Sequence, residues 1–275
     1  MTVVIPKSNK TLYNSPKLFR LIVLLNTMGK LIKKVIGERL QFLTTSNDFI
    51  HPSQLGGLKF KSTTNVGVAL THIIHSGWIK NLLTSTLVFD IMQFFLSLNH
   101  YLLTLILKKA GFNNCVIFFF TNYLVGRKTN YLWNNFSSPT FDVNIGVGQD
   151  SALSPILLAL YLSLFLYILE KQLKNLNILV SIISFIDDGL FISQRKLFYT
   201  SNSCLFCSYN VMTKLLEKFG LIVEHFKTEV FHFNRSHGIF NPPPLDLMPI
   251  GGTILQPKNT WKYLCFIFDR KLLFH

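Results

Sequence analysis

The chain has 275 residues, 49% of them hydrophobic and 26 of them phenylalanine, which excludes a disordered protein and leaves room for one large or two ordinary domains. Its 27 Lys and Arg against 13 Asp and Glu give a net charge of +14, of which +9 falls within residues 1–80. This basic N-terminal part predicts a polyanionic partner, either nucleic acid or an anionic lipid surface.

The first 80 residues are predicted to begin with an extended, basic segment at 5–26 that includes a strand at 20–25. The next segment has the spacing of an amphipathic helix over 30–43. Its predicted core-facing residues are Leu31, Ile32, Val35, Ile36, Leu40 and Leu43. A loop at 51–60, which contains glycine, separates this helix from a second one at 65–83.

A short buried strand is predicted at 85–91, and it carries a carboxylate, Asp90, near its end. The elements predicted after it are helices at 99–112, 114–126 and 155–171, and a hairpin at 127–146.

The stretch "SIISFIDDGLFIS" places Asp187 and Asp188 between two apolar runs. An Asp-Gly sequence in this setting predicts a hairpin, with Asp187 at its tip. A helix at 204–219 and strands near 228–233 and 261–268 follow. Because strands and helices do not alternate one by one, we expect an α+β fold with a mainly antiparallel sheet and helices packed on one face.

The four cysteines predict neither a disulfide framework nor a zinc finger. Cys204 and Cys207 form a C-x-x-C pair, but no second pair stands at zinc-finger spacing. We therefore expect ordinary buried thiols in a reducing compartment. The N-terminal apolar run is short and is broken by Pro6, so no signal peptide is predicted and we expect an intracellular protein of the nucleus or cytoplasm.

The most apolar segment, residues 153–171, is the best candidate for a membrane span. Its apolar run between Pro155 and Glu170 is shorter than the roughly 20 residues that a span needs. We expect a buried core helix and no membrane partner, and a transmembrane helix is kept as the alternative.

Three carboxylates are predicted to meet at one edge of the sheet. Asp90 ends one buried strand and Asp187 lies at a hairpin tip, while adjacent strand residues point to opposite faces, so Asp188 is expected only to support them. Crowded carboxylates repel one another and need a cation. Mg²⁺ prefers oxygen ligands, and a pair of such ions stabilises both oxygens of a phosphoryl transfer.

These residues lie in motifs that resemble a known family. The stretches "FDIMQFF", "GVGQDSALSPILLALYL", "FIDDGLFI", "GLIVEHFKTEVFHF" and "WKYLCFIFDRKL" look like the ordered motifs of reverse transcriptases from non-LTR (LINE-type) retrotransposons. Upstream, "IPKSNK", "FRLIVLLN" and "HPSQLGGLKFKST" resemble the fingers motifs of that family. The resemblance covers nearly the whole chain, in the family's order.

The resemblance implies a right-hand polymerase: fingers over 1–84, and a palm over 85–275 with a finger-like insertion at about 112–145 and a primer-grip hairpin near 261–268. The chain ends at His275, so we expect a fragment without a complete thumb. The implied activity is that of an RNA-directed DNA polymerase, which copies an RNA template onto a DNA primer from dNTPs. The implied cofactor is Mg²⁺, as two ions, with Mn²⁺ as a substitute. The oligomeric state stays open.

Residue by residue, the resemblance implies specific roles. The implied metal ligands are Asp90, Asp187 and Asp188, and Lys227 is the implied acid that protonates the leaving pyrophosphate. The implied nucleotide contacts are Lys7 and Arg20 at the triphosphate, Phe95 under the sugar and Gln149 beside the incoming nucleotide. The implied primer-grip residues are Trp261, Tyr263 and Leu264. Without the shared order of motifs, Phe95 would be interpreted as a core residue and Gln149 as an ordinary loop residue. The three cations Lys7, Arg20 and Lys227 would be interpreted as solvated surface charges.

The sequence also departs from the family. Asp150 stands where the family usually has Gly, and it places a negative charge beside the incoming triphosphate. At about 6 Å and an effective dielectric constant near 20, this repulsion is about 3 kcal/mol. The other departures are Gly148 for Pro, Cys265 for Gly, Leu21 for Pro and Leu96 for Pro. We therefore expect impaired activity, and two alternatives stay open: a catalytically dead, nucleic-acid-binding relic of the same fold, and a small membrane protein.

Overall fold

The structure is a computed structural model that describes residues 1–8, 12–149, 151–235, 242–246 and 254–273. The chain forms two compact units, each built from two separate segments. The first unit contains Met1–Ile50 and Gln93–Tyr161, and the second contains His51–Met92 and Leu162–His275. The predicted fingers and palm, with the finger-like insertion at about 112–145, stay a prediction.

Helices and strands account for most of the described residues. In chain order, the helices are α1 (Thr27–Ser46), α2 (Thr63–Ile79), α3 (Phe94–Ser97), α4 (His100–Lys109), α5 (Asn114–Leu124), α6 (Ser154–Asn175) and α7 (Phe198–Lys218). The strands are β1 (Thr2–Pro6), β2 (Phe19–Val23), β3 (Leu83–Asp90), β4 (Lys128–Thr129), β5 (Tyr131–Trp133), β6 (Phe136–Ser137), β7 (Phe141–Asp142), β8 (Ser181–Phe185), β9 (Asp188–Arg195), β10 (Glu229–Phe233), β11 (Leu245–Asp246), β12 (Ile254–Leu255), β13 (Thr260–Tyr263) and β14 (Phe266–Asp269). Short 3₁₀ helices are formed by Pro16–Leu18 and His225–Lys227.

The first unit contains a four-stranded sheet in the order β2-β1-β5-β6, in which β1 pairs antiparallel with β2 and parallel with β5. Its main helices begin at asparagine caps, as their sequences favour. Asn26 accepts a hydrogen bond from the Gly29 amide, and Asn99 accepts one from the Leu102 amide.

The predicted core-facing side of α1 is partly wrong. Leu40 is buried as predicted, and Ile36 and Leu43 are half-buried. Leu31, Ile32 and Val35 are exposed, whereas Gly37 and Leu40 are buried. The reason is close packing: a Cβ on Gly37 would lie 3.1 Å from the carbonyl oxygen of Ala152. The small residue, rather than the most hydrophobic side, therefore faces the neighbouring chain segment.

The second unit contains an antiparallel sheet in the order β10-β3-β9-β8. Because side chains alternate along a strand, Val88 on β3 and Leu190 on β9, which lie opposite each other, share one face. This face forms a core with α2 and the β13–β14 hairpin.

Helices cover both faces of this sheet, whereas the sequence predicts helices on one face. On the face of Val88, Gln194 donates a hydrogen bond from Nε2 to the carbonyl of Ile73 in α2. On the opposite face, Ser201 in α7 donates a hydrogen bond to the carbonyl of Ser193 in β9. The α+β class and the antiparallel sheet are confirmed.

Helix α6 is long and apolar enough to cross a membrane. In the structure, 67% of its most apolar 18-residue window is buried, as in the core helix of a soluble protein. The apolar composition of this helix therefore has a packing explanation.

The cysteines are free, but the prediction that they are buried is wrong. Cys115, Cys207 and Cys265 are exposed and Cys204 is half-buried. Cys204 accepts a hydrogen bond of 3.4 Å from the Arg195 guanidinium. The apolar character of thiols did not decide their position, since Cys115 and Cys207 lie on the outer sides of amphipathic helices.

Candidate active site

The second unit brings the three predicted metal-ligand carboxylates together at one end of its sheet. Asp90 at the end of β3 lies directly opposite Asp188 at the start of β9, so both side chains share one face. Asp187 lies in the two-residue turn between β8 and β9. Its carbonyl accepts a hydrogen bond of 3.0 Å from the amide of Ile91, which ties the turn to the end of β3. We call Asp90, Asp187, Asp188 and Lys227 the carboxylate corner.

The hairpin turn lies two residues earlier than the Asp-Gly signal indicates. Ile186 and Asp187 form the turn, whereas Asp188 and Gly189 belong to β9. Gly189 is needed for packing instead: a Cβ there would lie 2.1 Å from the ring of Phe89. The bare glycine gives space to this ring, which packs against Phe191 at a centroid distance of 5.1 Å. The prediction that Asp187 lies at the hairpin tip agrees with the structure.

Lys227 is the fourth member of the corner. Its Nζ donates a hydrogen bond of 2.6 Å to Oδ2 of Asp90. Burial lowers the pKa of Lys227, but the hydrogen bond and charge of Asp90, together with Glu224 and Asp187, outweigh burial and hold that pKa above its ordinary value. The ammonium group is therefore held protonated beside the carboxylates.

The position of Lys227 depends on residues that the sequence motifs did not reveal. It lies in the 3₁₀ turn His225–Lys227, and the amide of Glu224 donates a hydrogen bond of 2.8 Å to the carbonyl of Asp90. His225 Nδ1 and the Tyr209 hydroxyl are hydrogen-bonded at 2.7 Å. The sequence does not predict the hydrogen bond between Tyr209 and His225, because Tyr209 looks like an ordinary core residue of helix α7.

The ionised forms of Asp187 and Asp188 are destabilised in the carboxylate corner. Burial, followed by the charges of Asp187 and Asp90, raises the pKa of Asp188 to about 7. Burial and the charge of Asp90 also raise the pKa of Asp187. Burial and like charge thus both disfavour ionisation of these two neighbouring carboxyl groups.

The predicted primer-grip hairpin is formed by β13 and β14. Trp261 and Tyr263 are buried in the core on the face of Val88, and their rings stack at a centroid distance of 4.9 Å. Leu264 is half-buried in the turn of the hairpin. A primer-gripping role of this hairpin, which stays a prediction, would thus use its backbone and Leu264 rather than the two aromatic side chains.

Cys265 occupies a conformation that favours the glycine it replaces. Leu264 and Cys265 have φ angles of +45° and +71°, as a two-residue turn with both residues in the left-handed region requires. An L side chain in this region is strained, whereas glycine adopts it at little cost.

The predicted nucleotide contacts lie in the first unit, on separate elements. Arg20 is exposed on β2 opposite Ile5, and Lys7 follows β1. Phe95 is half-buried in α3, and its carbonyl accepts a hydrogen bond of 2.7 Å from the amide of Val147. Gln149 is half-buried in the loop before α6. Asp150 lies outside the described residues.

The first unit also contains a cavity of about 280 Å³ that the sequence did not predict. Its lining includes Lys33, Tyr123, Arg127 and Gly148. Lys33 Nζ donates to the Tyr123 hydroxyl at 3.1 Å and lies 4.6 Å from the ring centroid. Arg127 lies 6.0 Å from the same ring and donates to the carbonyl of Gly146 at 2.6 Å. Two cations therefore flank one aromatic ring. The sequence alone did not reveal this cluster, because its residues come from separate elements of the chain.

A family model identifies the family to which this chain belongs. Residues 5–268 match the family described as "Reverse transcriptase (RNA-dependent DNA polymerase)". The chain belongs to the reverse transcriptase family. No curated protein sequence matches this chain.

Solved telomerase structures share the fold of this reverse transcriptase chain. Apo telomerase of Candida tropicalis, truncated from its C-terminal domain, superposes with a TM-score of 0.61 at 15% identity, over 93% of this chain and 52% of that one. The telomerase of Candida albicans in complex with a fragment of telomeric RNA gives 0.51 at 14% identity, over 90% of this chain and 45% of that one. This chain thus spans about half the length of those telomerases.

Proposed function

We propose that this chain is the polymerase core of a retrotransposon reverse transcriptase, which transfers a nucleotide from a dNTP to the 3′-OH of a DNA primer on an RNA template. One observation carries the proposal: the strand register sets Asp90 opposite Asp188, with Asp187 in the adjoining turn and Lys227 on Asp90. Closely spaced carboxylates beside a lysine are suited to phosphoryl transfer, in which catalysis is mainly positioning and electrostatic stabilisation.

The donor set fits Mg²⁺. Among the described residues, no three His, Cys, Asp or Glu side chains are placed to hold one ion together. Mg²⁺ typically takes one or two carboxylates plus substrate phosphates, so Asp90 and Asp187, supported by Asp188, suffice once a dNTP is present. Two bound Mg²⁺ ions, or Mn²⁺ in their place, would lower the pKa of the primer 3′-OH and offset the charge that develops on the transferred phosphoryl group.

The chain's own residues would then do the following. Lys227, held protonated beside Asp90, donates a proton to the leaving pyrophosphate. Lys7 and Arg20 hold the triphosphate, because cations on the fingers can pair with its oxygens. The other two proposed nucleotide contacts are Phe95, which lies under the sugar and excludes a 2′-OH, and Gln149, which lies beside the incoming nucleotide.

The non-LTR subtype and the RNA template are supported by the ordered motifs and by the charge of the first 80 residues. The cavity lined by Lys33 and Arg127 supports a path for the RNA backbone, because cations pair with its phosphates. We place the protein inside the cell, in the nucleus or cytoplasm, where an RNA template is present.

A nucleic-acid-binding relic is the second candidate function. It is favoured by Asp150 at a glycine position and by the left-handed φ of +71° at Cys265, where the family has Gly. Such a relic would bind primer–template with a strong salt dependence and would not extend the primer.

The test is extension of a labelled DNA primer on RNA and on DNA templates, with dNTPs or rNTPs and with Mg²⁺ added or chelated. We expect extension only with Mg²⁺ or Mn²⁺ and only with dNTPs. Salt-dependent binding without extension under any condition would select the relic. Extension that persists after chelation would contradict the metal-dependent mechanism.

A further inference from the structure

The loop from His51 to Gly57 packs against the catalytic hairpin within the second unit. The amide of Leu55 donates to the carbonyl of Ser184, and the amide of Ser184 donates to the carbonyl of Ser53, both at 2.8 Å. Gln54 and Ser184 thereby form a parallel bridge. Since β8 is the edge strand of the sheet, the loop covers that edge beside the turn that carries Asp187.

Gly56 in this loop lies against the peptide bond that enters the turn. A Cβ built on Gly56 would lie 2.5 Å from the amide nitrogen of Ile186 and 2.7 Å from the carbonyl carbon of Phe185. Both contacts are with backbone, which cannot rotate away as a flexible side chain can. Any side chain at position 56 would therefore displace the loop or the turn.

The turn itself is in a conformation that needs support. Ile186 has a φ of +59°, which is rare for any L residue and an outlier for a β-branched one. A strained backbone of this kind persists only where the surrounding structure holds it. The residue that follows Ile186 is Asp187, so a relaxed turn would move a catalytic carboxylate.

The loop is well fixed at its other end. The amide of His51 donates to Ser163 Oγ at 3.0 Å, and His51 Nε2 donates to Glu170 at 3.2 Å. The Gln54 side chain, which is buried, donates from Nε2 to the carbonyl of Gly56 at 3.1 Å. The support on which the turn rests is thus tied to helix α6.

We infer that Gly56 is a positioning residue for Asp187: its bare α-carbon lets the His51–Gly57 loop press on the Phe185–Ile186 peptide and hold the left-handed turn that aims Asp187 into the carboxylate corner. This role rests on the proposed function for its catalytic meaning. The support that Gly56 gives to the turn does not depend on that function.

The test compares Gly56→Ala with Gly220→Ala in the full chain. A Cβ at Gly220 would meet nothing within 4 Å, but the φ of +70° makes alanine strained there, so this control destabilises the second unit without touching the hairpin. Amide hydrogen exchange is followed in peptides that cover residues 181–195, and Mn²⁺ affinity is followed by electron paramagnetic resonance. Single-nucleotide kcat and primer–template Kd are measured wherever the unaltered chain extends a primer.

For Gly56→Ala we expect about tenfold faster exchange in the hairpin and roughly fivefold weaker Mn²⁺ binding, with lower kcat and unchanged primer–template Kd. Gly220→Ala should lower Tm and leave these values as they were. Gln54→Leu, which removes one hydrogen bond and adds no bulk against the turn, should give a smaller change in the same direction, and it serves if Gly56→Ala does not fold.

Unchanged hairpin exchange in both loop variants, or equal changes in Gly220→Ala, would overturn the inference. If the unaltered chain binds no Mn²⁺ and extends no primer, the proposed function fails, while the exchange data still decide whether the loop supports the turn.

Discussion

The two units hold their predicted functional residues in different ways. In the second unit, Asp90, Asp188 and Lys227 are fixed relative to one another by a strand register and a 2.6 Å hydrogen bond. In the first unit, Arg20 and Gln149 lie on an edge of a sheet and in a loop, exposed or half-buried. The difference shows that strand pairing fixes the proposed catalytic residues relative to one another, whereas the proposed nucleotide contacts lie on separate elements that no shared register holds.

The largest expected effect comes from the corner. Asp187→Asn should reduce primer extension by about a thousandfold or more, because it removes a metal-binding charge at the site of reaction. It should not lower thermal stability, since burial and the charge of Asp90 oppose ionisation of this carboxyl. The matched control is Asp142→Asn, at an exposed carboxylate of the first unit. Loss of extension in both variants to the same degree would contradict the assignment.

Lys227→Met should lower kcat by about a hundredfold, because it removes the proposed proton donor and the cation beside Asp90. The measurement is single-turnover incorporation across a pH range. A base limb that moves or disappears in the variant supports acid catalysis by Lys227. An equal loss of kcat in the control Lys214→Met, at an exposed lysine of helix α7, would count against a special role for Lys227.

The metal-free protein should lose stability as pH rises from about 4 to about 7. The pKa of Asp188 is raised to about 7 in the folded chain, so the folded state keeps a proton that the unfolded state has already released above its ordinary value of 3.8. The stabilisation is complete below pH 4 and is lost as pH passes 7. We expect Tm to fall by roughly 5 °C across this window, and Asp188→Asn to flatten the curve. A Tm that rises with pH in both proteins would contradict the crowded-carboxylate description.

A smaller effect is expected at the β13–β14 turn. Cys265→Gly should raise the free energy of unfolding by about 1 kcal/mol, because glycine adopts the observed φ of +71° without strain. Thermal or denaturant unfolding measures it, with Cys207→Gly, on an exposed side of helix α7, as a control that should destabilise. A loss of stability in Cys265→Gly would show that the turn is not strained.

Several features of the fold could be predicted because they depend on local pattern. The buried strand that ends on Asp90 and the hairpin around Asp187 follow from alternation and apolar runs. The Asp-Gly signal placed the turn of this hairpin two residues too late, because Gly189 lies within β9 and packs against the ring of Phe89. The buried side of α1 was predicted correctly at Leu40 but not in the first turns of the helix, because α1 approaches Ala152 closely through Gly37.

The support of the site was the least predictable part. Gly56 and Glu224 lie in the quoted motifs and Tyr209 lies outside them, but their contacts are with residues far away in the sequence, which no local pattern reveals. Family motifs indicated the candidate catalytic residues, but the contacts that hold these residues in place depend on tertiary packing.

The most direct test of the account is Mg²⁺-dependent primer extension on an RNA template by four proteins: the chain as written, Asp150→Gly, Asp187→Asn and the double variant. The account predicts weak extension by the chain as written, about a hundredfold more by Asp150→Gly since about 3 kcal/mol of repulsion is removed, and none by either variant that lacks Asp187. Extension that survives Asp187→Asn, or an Asp150→Gly protein that binds primer–template and never extends it, would contradict the central claim.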